Sequence, residues 1–521
     1  MSDFHTWAQK QPEKAVLIQA ESGASLTARE LDADAQRMAR WFLAKGLADG
    51  ASVALVVENR NELIALALGA ELAGLYFTPI STHLTAAEVA YIVQDCSAQL
   101  VIATAKTAPM LSEVPAGLPR YSLDGRLPDA PELVDLPAEL ATVDVGTALP
   151  PRSRGRDLLY SSGTTGRPKG VKRPLVPFEK KHELEPAALN AQQTYGLDEH
   201  TVYLSPAPLY HAAPLRFCLR VLGFGGTVVI MPRFDPETAL ALIERHRVTH
   251  SQWVPTMFTR MLALPEATRA RYRTDSLRVA IHAAAPCPVP LKQAMLAWWG
   301  DILIEYYGGS EGVGITTITA PEWHERPGSV GRATLGVIHI VGDDGQELPP
   351  GEIGRIYFSG GPTFSYLNDE AKTREAYNDR GWATYGDIGH VDEAGYLFLS
   401  DRRADLILAG GVNIYPQEIE NALSTHPAVA DVAVVGVPDA DFGEVPLAIV
   451  TLRPGQAADE AQAQALLAHA ADKLARLKWP HRVVFETELP RLETGKLLRR
   501  VLKERYREQA NAGFLVRKSK A

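Results

Sequence analysis

The eleven residues Tyr160-Ser161-Ser162-Gly163-Thr164-Thr165-Gly166-Arg167-Pro168-Lys169-Gly170 hold three glycines, four Ser/Thr hydroxyls and two cations, directly after the apolar pair Leu158-Leu159. Glycine lets a backbone approach an anion closely, and hydroxyl and N–H groups can then cup phosphate oxygens. Lys169 and Arg167 add positive charge. The order differs from a Walker A loop, because Pro168 precedes the lysine and Gly170 follows it. No GxGxxG in a dinucleotide-binding context occurs either. An ordinary Ser/Gly/Thr turn would account for one or two of these residues but not for all of them.

The stretch resembles the phosphate-binding signature of the acyl-adenylate-forming superfamily, which groups acyl-CoA synthetases, adenylation domains of peptide synthetases and firefly-type luciferases. Further stretches resemble that family in the same order. They are Tyr307-Gly308-Gly309-Ser310-Glu311-Gly312, Tyr385-Gly386-Asp387, Asp401-Arg402 leading into Gly410-Gly411-Val412-Asn413-Ile414-Tyr415-Pro416, and Pro490-Arg491-Leu492-Glu493-Thr494-Gly495-Lys496. The resemblance spans nearly the whole chain and points to its acyl-CoA synthetase branch. Ser310 stands where Thr is usual, Tyr385 replaces a frequent Thr, and Ala404 a frequent Lys; none removes a group that the chemistry needs.

Roles carried by the resemblance follow residue by residue. Ser161, Ser162, Gly163, Thr164, Thr165, Gly166 and Lys169 would hold the ATP phosphates. Glu311, with Thr164, would accompany magnesium, and Gly308 and Ser310 would flank the nucleotide. Tyr307 would pack against adenine, Asp387 would bind both ribose hydroxyls, and Arg402 would be its cationic partner. Lys496 would reach from a small domain to the α-phosphate and carboxylate oxygens, a task suited to an ammonium on a long stem. Asp401 matches the hinge position, and Gly410–Gly411 would meet the pantetheine tunnel of coenzyme A. Taken singly, Glu311 reads as a surface residue, Asp387 as a turn residue, Arg402 as a solvated cation and Lys496 as one charge in a basic tail.

Joining a carboxylate to the α-phosphorus of ATP brings two anions together, so positioned cations carry much of the catalysis. His211, in Leu209-Tyr210-His211-Ala212-Ala213, resembles the histidine placed near the substrate carboxylate, although a lone histidine is as often a core residue. Relatives that bind α-amino acids place Asp near this position, so a simple amino acid is not expected. Trp253, Met257, Ala283, Ala284 and Gly309 are the candidate acyl pocket, a mixture of small and apolar residues that would admit a fatty, aryl or bulky cyclic acid. The same small residues would equally suit tight strand packing. The expected reaction is formation of acyl-AMP and pyrophosphate, then acyl-CoA and AMP, from ATP, Mg2+ and coenzyme A. The alternatives are a freestanding adenylation enzyme that loads a carrier protein, and a non-catalytic nucleotide-binding relative.

Positioning these groups takes an α/β architecture. Capping boxes at Thr27-x-x-Glu30 and Thr85-x-x-Glu88 start helices, and Leu31, Ala35, Met38, Ala39 and Phe42 follow the first at helical spacing. The unbroken apolar run Val53–Val57 and the stretch Tyr76–Ile80 read as strands covered on both faces, with a helix over Glu62–Gly74 between them. Val202–Leu204, Val228–Ile230 and Leu303–Tyr306 continue the alternation, which predicts subdomains with mainly parallel sheets. Residues 115–151 read as a surface crossover. The expected division is a large N-terminal domain, 1–400, and a small mobile α+β domain, 401–521, with a helix near Gln417–Leu423, strands at Val432–Val437 and Leu447–Leu452, and a helix over Asp459–Leu477.

The chain has 521 residues, 46% hydrophobic and 22% charged, the balance of a globular protein able to bury a large core. Its net charge of −9 argues against nucleic acid as a partner. The run from Lys496 to Ala521 carries nine Lys/Arg against two Glu, read as a solvated amphipathic helix and tail. No signal peptide and no stretch long enough for a transmembrane segment is evident. Three cysteines without a CxxC suggest reduced thiols. The expectation is a cytoplasmic enzyme, with a homodimer as the candidate assembly.

Overall fold

The computed structural model describes residues 4–161, 168–402, 405–409, 412–439, 442–491 and 497–511. Both predicted capping boxes form: Thr27 and Thr85 accept from the backbone N–H of Glu30 and Glu88, whose carboxylates return to the cap N–H at 2.8 Å. The amphipathic helix Ala28–Ala44 buries Leu31, Ala35, Met38 and Phe42. Against it lies Asn61–Leu72, apolar on every side and buried on nearly every side. The two cross in close contact because Gly69 has no side chain; a Cβ there would sit 2.5 Å from the Met38 Cβ.

Among the described residues a six-stranded, wholly parallel sheet runs in the order 134–135, 120–122, 98–103, 52–56, 76–79 and 156–157. Residues 115–151 are therefore more than a surface crossover, since they supply two strands of this sheet and the helix Leu136–Ala141. A thirteen-stranded sheet begins with the antiparallel edge strand Ser25–Thr27 and runs on through parallel strands Ala15–Gln19, Thr227–Ile230, Val202–Ser205, His250–Trp253, Val279–His282 and Leu303–Tyr307. It continues antiparallel from Ile315–Thr319 through Ser329–Leu335, Leu397–Arg402, Asp387–Val391 and Gly354–Ser359 to Val337–Val341. The mainly parallel α/β expectation holds, with this antiparallel extension added.

Beyond residue 405 the chain builds cores of its own. Strands Val429–Asp439 and Gly443–Leu452 pair antiparallel and are buried on both faces. Val432, Val434, Ala448 and Val450 face the helices Pro416–Ser424 and Glu460–Ala471, whereas Ala433, Val435, Leu447 and Ile449 face Leu502 and Tyr506 of Arg499–Asn511. The two-residue alternation of a strand produces this division. The Ala-rich helix stops at Ala471, earlier than the expected Leu477. A 3-10 turn at Arg476–Lys478 follows, and Trp479 Nε1 donates to the Leu474 carbonyl at 2.8 Å.

Cys96 and Cys218 are buried, Cys287 is half-buried, and none is in a disulfide. Among the described residues no helix is long and apolar enough to cross a membrane.

Candidate active site

The phosphate-loop candidates lie between two paired strands. Leu159–Ser161 and Lys169–Lys172 run antiparallel, with Lys169 opposite Ser161 and Gly170 opposite Tyr160. Ser162, Gly163, Thr164, Thr165 and Gly166 lie outside the described residues, as do Gly410, Gly411 and Lys496. The backbones of Ser161, Asp401 and Arg402 are described and their side chains are not.

Lys169, the described cation of the loop, donates from Nζ to Asp369 Oδ2 at 2.6 Å and stands 5.9 Å from the Tyr366 ring centroid. That hydrogen bond holds the Asp369 carboxyl below its ordinary range. The Tyr366 hydroxyl donates to Glu311 Oε1 at 2.9 Å, and Ser310 Oγ donates to the other carboxylate oxygen at 3.2 Å. Loop lysine and acidic residue, 142 positions apart by their numbers, thus share one wall through Tyr366.

The nucleoside candidates also converge. The Tyr307 hydroxyl donates to Asp387 Oδ2 at 2.6 Å. Asp387 and Arg402 are register partners across neighbouring strands. Tyr385 stands edge-on to Tyr307, 5.6 Å between centroids; its hydroxyl donates to the Gly314 carbonyl at 2.8 Å and accepts from the Gly314 N–H at 3.2 Å. A Cβ on Gly309 would lie 2.5 Å from the Tyr385 ring and 2.7 Å from Glu311 Oε2. The missing side chain of Gly309 makes room for Tyr385 and Glu311, and its backbone lines the cavity. At Gly308 a would-be Cβ comes no closer than 3.4 Å, to the Gly314 carbonyl.

His211 is the residue before the helix Ala212–Gly223, in extended backbone, with its ring 4.4 Å from that of Tyr210. The buried Asn59 fixes this turn: it donates to the carbonyls of Ala207 and Met231, both at 3.1 Å, and accepts from the Leu209 N–H at 2.8 Å. Trp253 and Met257 are buried. The Trp253 indole donates to Ser251 Oγ at 2.7 Å and packs 5.5 Å from Trp299, so these two residues serve the core behind the pocket as much as its surface. Ala283 is buried, and the exposed Ala284 takes φ +76°, a conformation that costs a residue with a side chain of order 1 kcal/mol and often marks a functional turn. His211, Met257, Ala283, Ala284, Glu311 and Asp387 all line one cavity of about 3490 Å³, large enough for several substrates together.

Several groups in and behind this wall lie outside the sequence motifs. Buried Asp157 accepts from Arg173 at 2.9 Å and from Arg216 at 2.7 Å, and Arg216 also donates to the Ser310 carbonyl at 3.1 Å. Burial alone would raise the Asp157 carboxyl, but Arg216 and Arg173 hold it well below the carboxylate range. Asp157, Arg173, Arg216, Asn59, Tyr366 and Asp369 were not anticipated. Asp157 precedes the loop by a few residues, a proximity that could have flagged it; the others find partners too distant in sequence for spacing to reveal.

Among the described residues no three His, Cys, Asp or Glu side chains cluster as a metal cage. A single half-buried carboxylate, Glu311, facing the phosphate-loop wall fits magnesium, which favours one or two carboxylates together with nucleotide phosphates and water.

A largely parallel scaffold brings Lys169, Glu311, Tyr307 and Asp387, the candidate phosphate, magnesium and nucleoside groups, onto one cavity, as expected of a nucleotide-dependent acid-activating enzyme. Residues 4–366 match the AMP-binding enzyme family and residues 418–496 the AMP-binding enzyme C-terminal domain, and the chain belongs to this family. It is 32% identical over 506 residues to a long-chain-fatty-acid–CoA ligase of Mycobacterium tuberculosis, covering 95% of this chain and 96% of the relative. To a 2-succinylbenzoate–CoA ligase of Geobacillus kaustophilus it is 34% identical over 480 residues, 92% of each chain. Among solved structures, the ATP-bound MatB crystal structure from Rhodopseudomonas palustris superposes with a TM-score of 0.84 at 30% identity, covering 97% of this chain and 99% of that one. The chain is an AMP-forming acid–thiol ligase of the acyl-CoA synthetase branch, with ATP, Mg2+ and coenzyme A as its reaction partners.

Proposed function

We propose that this ligase activates a fatty, aryl or bulky cyclic carboxylic acid, and that the residues gathered around the cavity divide the work as follows. One carboxylate oxygen of the acid attacks the α-phosphorus of ATP, the bond to the bridging oxygen breaks, and pyrophosphate leaves. The coenzyme A sulfur then attacks the acyl carbon and AMP leaves. Ser161 to Gly166 and Lys169 hold the phosphates; Asp387 and Arg402 hold the ribose, and Tyr307 packs on adenine while its hydroxyl orients Asp387. Glu311 and Thr164 would hold magnesium, which neutralises phosphate charge when bound. His211 orients the substrate carboxylate, and Lys496 closes on the α-phosphate and that carboxylate during the first step. The observation that carries this reading is the joining of Lys169–Asp369 and Tyr366–Glu311 on the same cavity as Tyr307–Asp387.

The division into 1–400 and 401–521, with a hinge at Asp401, belongs to the same proposal. The small domain would withdraw Lys496 after the first step and present Gly410 and Gly411 to the pantetheine arm; glycine suits both the backbone change and the close approach. A homodimer in the cytoplasm is the proposed state. The relatives named for fatty, succinylbenzoyl and feruloyl acids support a broad range of acid bodies.

The test is AMP and pyrophosphate release from MgATP with a panel of fatty, aryl and polycyclic acids, with and without coenzyme A. Turnover that depends on coenzyme A with one acid class supports the proposal; pyrophosphate release without it points to a carrier-protein acceptor. Lys496→Ala is expected to lower acyl-AMP formation by about 10²-fold or more while sparing thioester formation from supplied acyl-AMP. Equal loss in both half-reactions would refute that division of labour.

A further inference from the structure

The cavity wall on the helix Ala212–Gly223 holds one cation that the reaction does not use. Arg216 is engaged by Asp157 and the Ser310 carbonyl. Arg220, one helical turn on, lines the same cavity with its guanidinium 5.6 Å from the Phe217 ring centroid, and it has no carboxylate or carbonyl within hydrogen-bond distance among the described residues. Its neighbourhood is already rich in guanidinium groups. Arg154 and Arg156 share Glu185, and Arg173 and Arg216 share Asp157. Glu71, whose charge meets Arg154 and Arg156, is pushed up to about 7 by burial. Burial and the Arg216 charge hold Arg220 below the usual arginine range, opposed in part by Glu185, which Arg154 and Arg156 already engage. A half-buried cation in a neighbourhood with more guanidinium groups than carboxylates gains from a ligand that supplies counter-charge.

A second donor faces the same space. The Tyr306 hydroxyl accepts from Gln252 Nε2 at 3.1 Å, and Gln252 Oε1 in turn accepts from the Tyr203 hydroxyl at 3.2 Å. This relay uses the Tyr306 oxygen as an acceptor and leaves its proton to be donated. The phenol is pushed up to about 12 and stays protonated at neutral pH. Phe217 lies between the two donors, 6.2 Å from Tyr306, and with Ala213 offers an apolar wall. The arrangement places a guanidinium and a hydroxyl donor on one stretch of the cavity wall, with Tyr195 beside both.

We infer that Arg220 and Tyr306 form a seat for a second anionic group, a carboxylate or an equivalent oxyanion, carried by the acid at the end remote from the one that is activated. The seat is distinct from the phosphate site. Arg216 is the residue that touches the Gly-rich segment, and Arg220 lies a further ~6 Å along the helix axis, at about 1.5 Å per residue. An apolar body between the two ends would lie on Phe217 and Ala213. This inference rests on the ligase reading and refines it, naming a substrate class with a charged far end rather than a purely apolar one.

The experiment compares kcat/KM for α,ω-dicarboxylic acids of graded length with that for their monomethyl esters, using the full chain, MgATP and coenzyme A. The wild type is expected to prefer the diacid of fitting length by about tenfold or more, the gain of one charge-assisted hydrogen bond. Arg220→Met, which keeps packing on Phe217, should abolish that preference through KM for the diacid and leave the ester and ATP unchanged. Arg220→Lys should restore part of it, and Tyr306→Phe should lose a smaller part. No wild-type preference, equal loss on diacid and ester, or a raised KM for ATP in place of the acid would each overturn the seat. Titration calorimetry of the diacid against the wild type gives a second reading should Arg220→Met fail to fold. Heat with the diacid and none with the ester upholds the seat, and the same heat for both overturns it. Should no acid release pyrophosphate, the ligase reading fails, and the calorimetric comparison still decides the seat by itself.

Discussion

At the residue scale, the strongest single constraint on the site is Asp157. Its carboxylate neutralises Arg173 and Arg216 at once, and through Arg216 it ties the strand before the phosphate loop to the Ser310 segment. Removing one partner of a buried ion pair strands the other charge, at about 3–5 kcal/mol. Asp157→Asn should therefore lower the denaturant midpoint strongly and weaken ATP binding as well, read by urea unfolding and nucleotide titration. Glu71 makes the opposite kind of prediction. Burial raises its carboxyl to about 7, against an unperturbed value near 4.5. Between those values the native state keeps a proton that the unfolded chain has lost, so stability falls as pH rises through the window. Glu71→Gln should flatten that slope and stabilise the chain at pH 8 by about 2 kcal/mol, seen as the difference between unfolding curves at pH 5 and pH 8. Glu311, Asp387 and Lys169 could be singled out as candidates because their neighbours form ordered motifs. Asp157, Asn59 and Asp369 were not, because a buried polar group is defined by the partner it meets across the fold, and one sequence does not record that meeting.

At the scale of elements, legibility follows the strength of the local signal. The capping boxes at Thr27 and Thr85 and the apolar strands at Val53 and Tyr76 came from contacts within a few residues, and they stand where expected. The Ala-rich helix was overextended, since alanine favours helix without marking its end; it caps at Asp472, and the Leu474 carbonyl beyond it is taken by the Trp479 indole. The two strands within 115–151 were missed because each is three residues or fewer and gains its hydrogen bonds only from the sheet it joins. The crossing of Ala28–Ala44 with Asn61–Leu72 can be tested through Gly69. Gly69→Ala adds a methyl where Met38 Cβ lies 2.5 Å away, so helix propensity should lose to overpacking and stability should fall by about 1–3 kcal/mol in thermal unfolding. A stabilised variant would show that the helices can part at no cost.

At the scale of the whole molecule, the region beyond residue 405 packs its two strand faces against its own helices. Under the proposed division near 400, full-length unfolding should depart from two-state behaviour and show separate transitions. Val434, fully buried between strand and helix, provides the marker. Val434→Ala should shift one transition by about 2 kcal/mol and leave the other in place, as calorimetry would report; a common shift of both would make the chain one cooperative unit.

Sulfur chemistry follows from where the cysteines lie. Burial pushes the Cys96 thiol up to about 11 and Cys218 to about 12, and Cys287, beside Glu305, is raised further. Thiolate is the attacking form in disulfide exchange, so at neutral pH these side chains offer almost none. In an enzyme that passes acyl groups to a free thiol, sulfurs held as thiols compete little with the incoming coenzyme A, either for the mixed anhydride or in disulfide exchange.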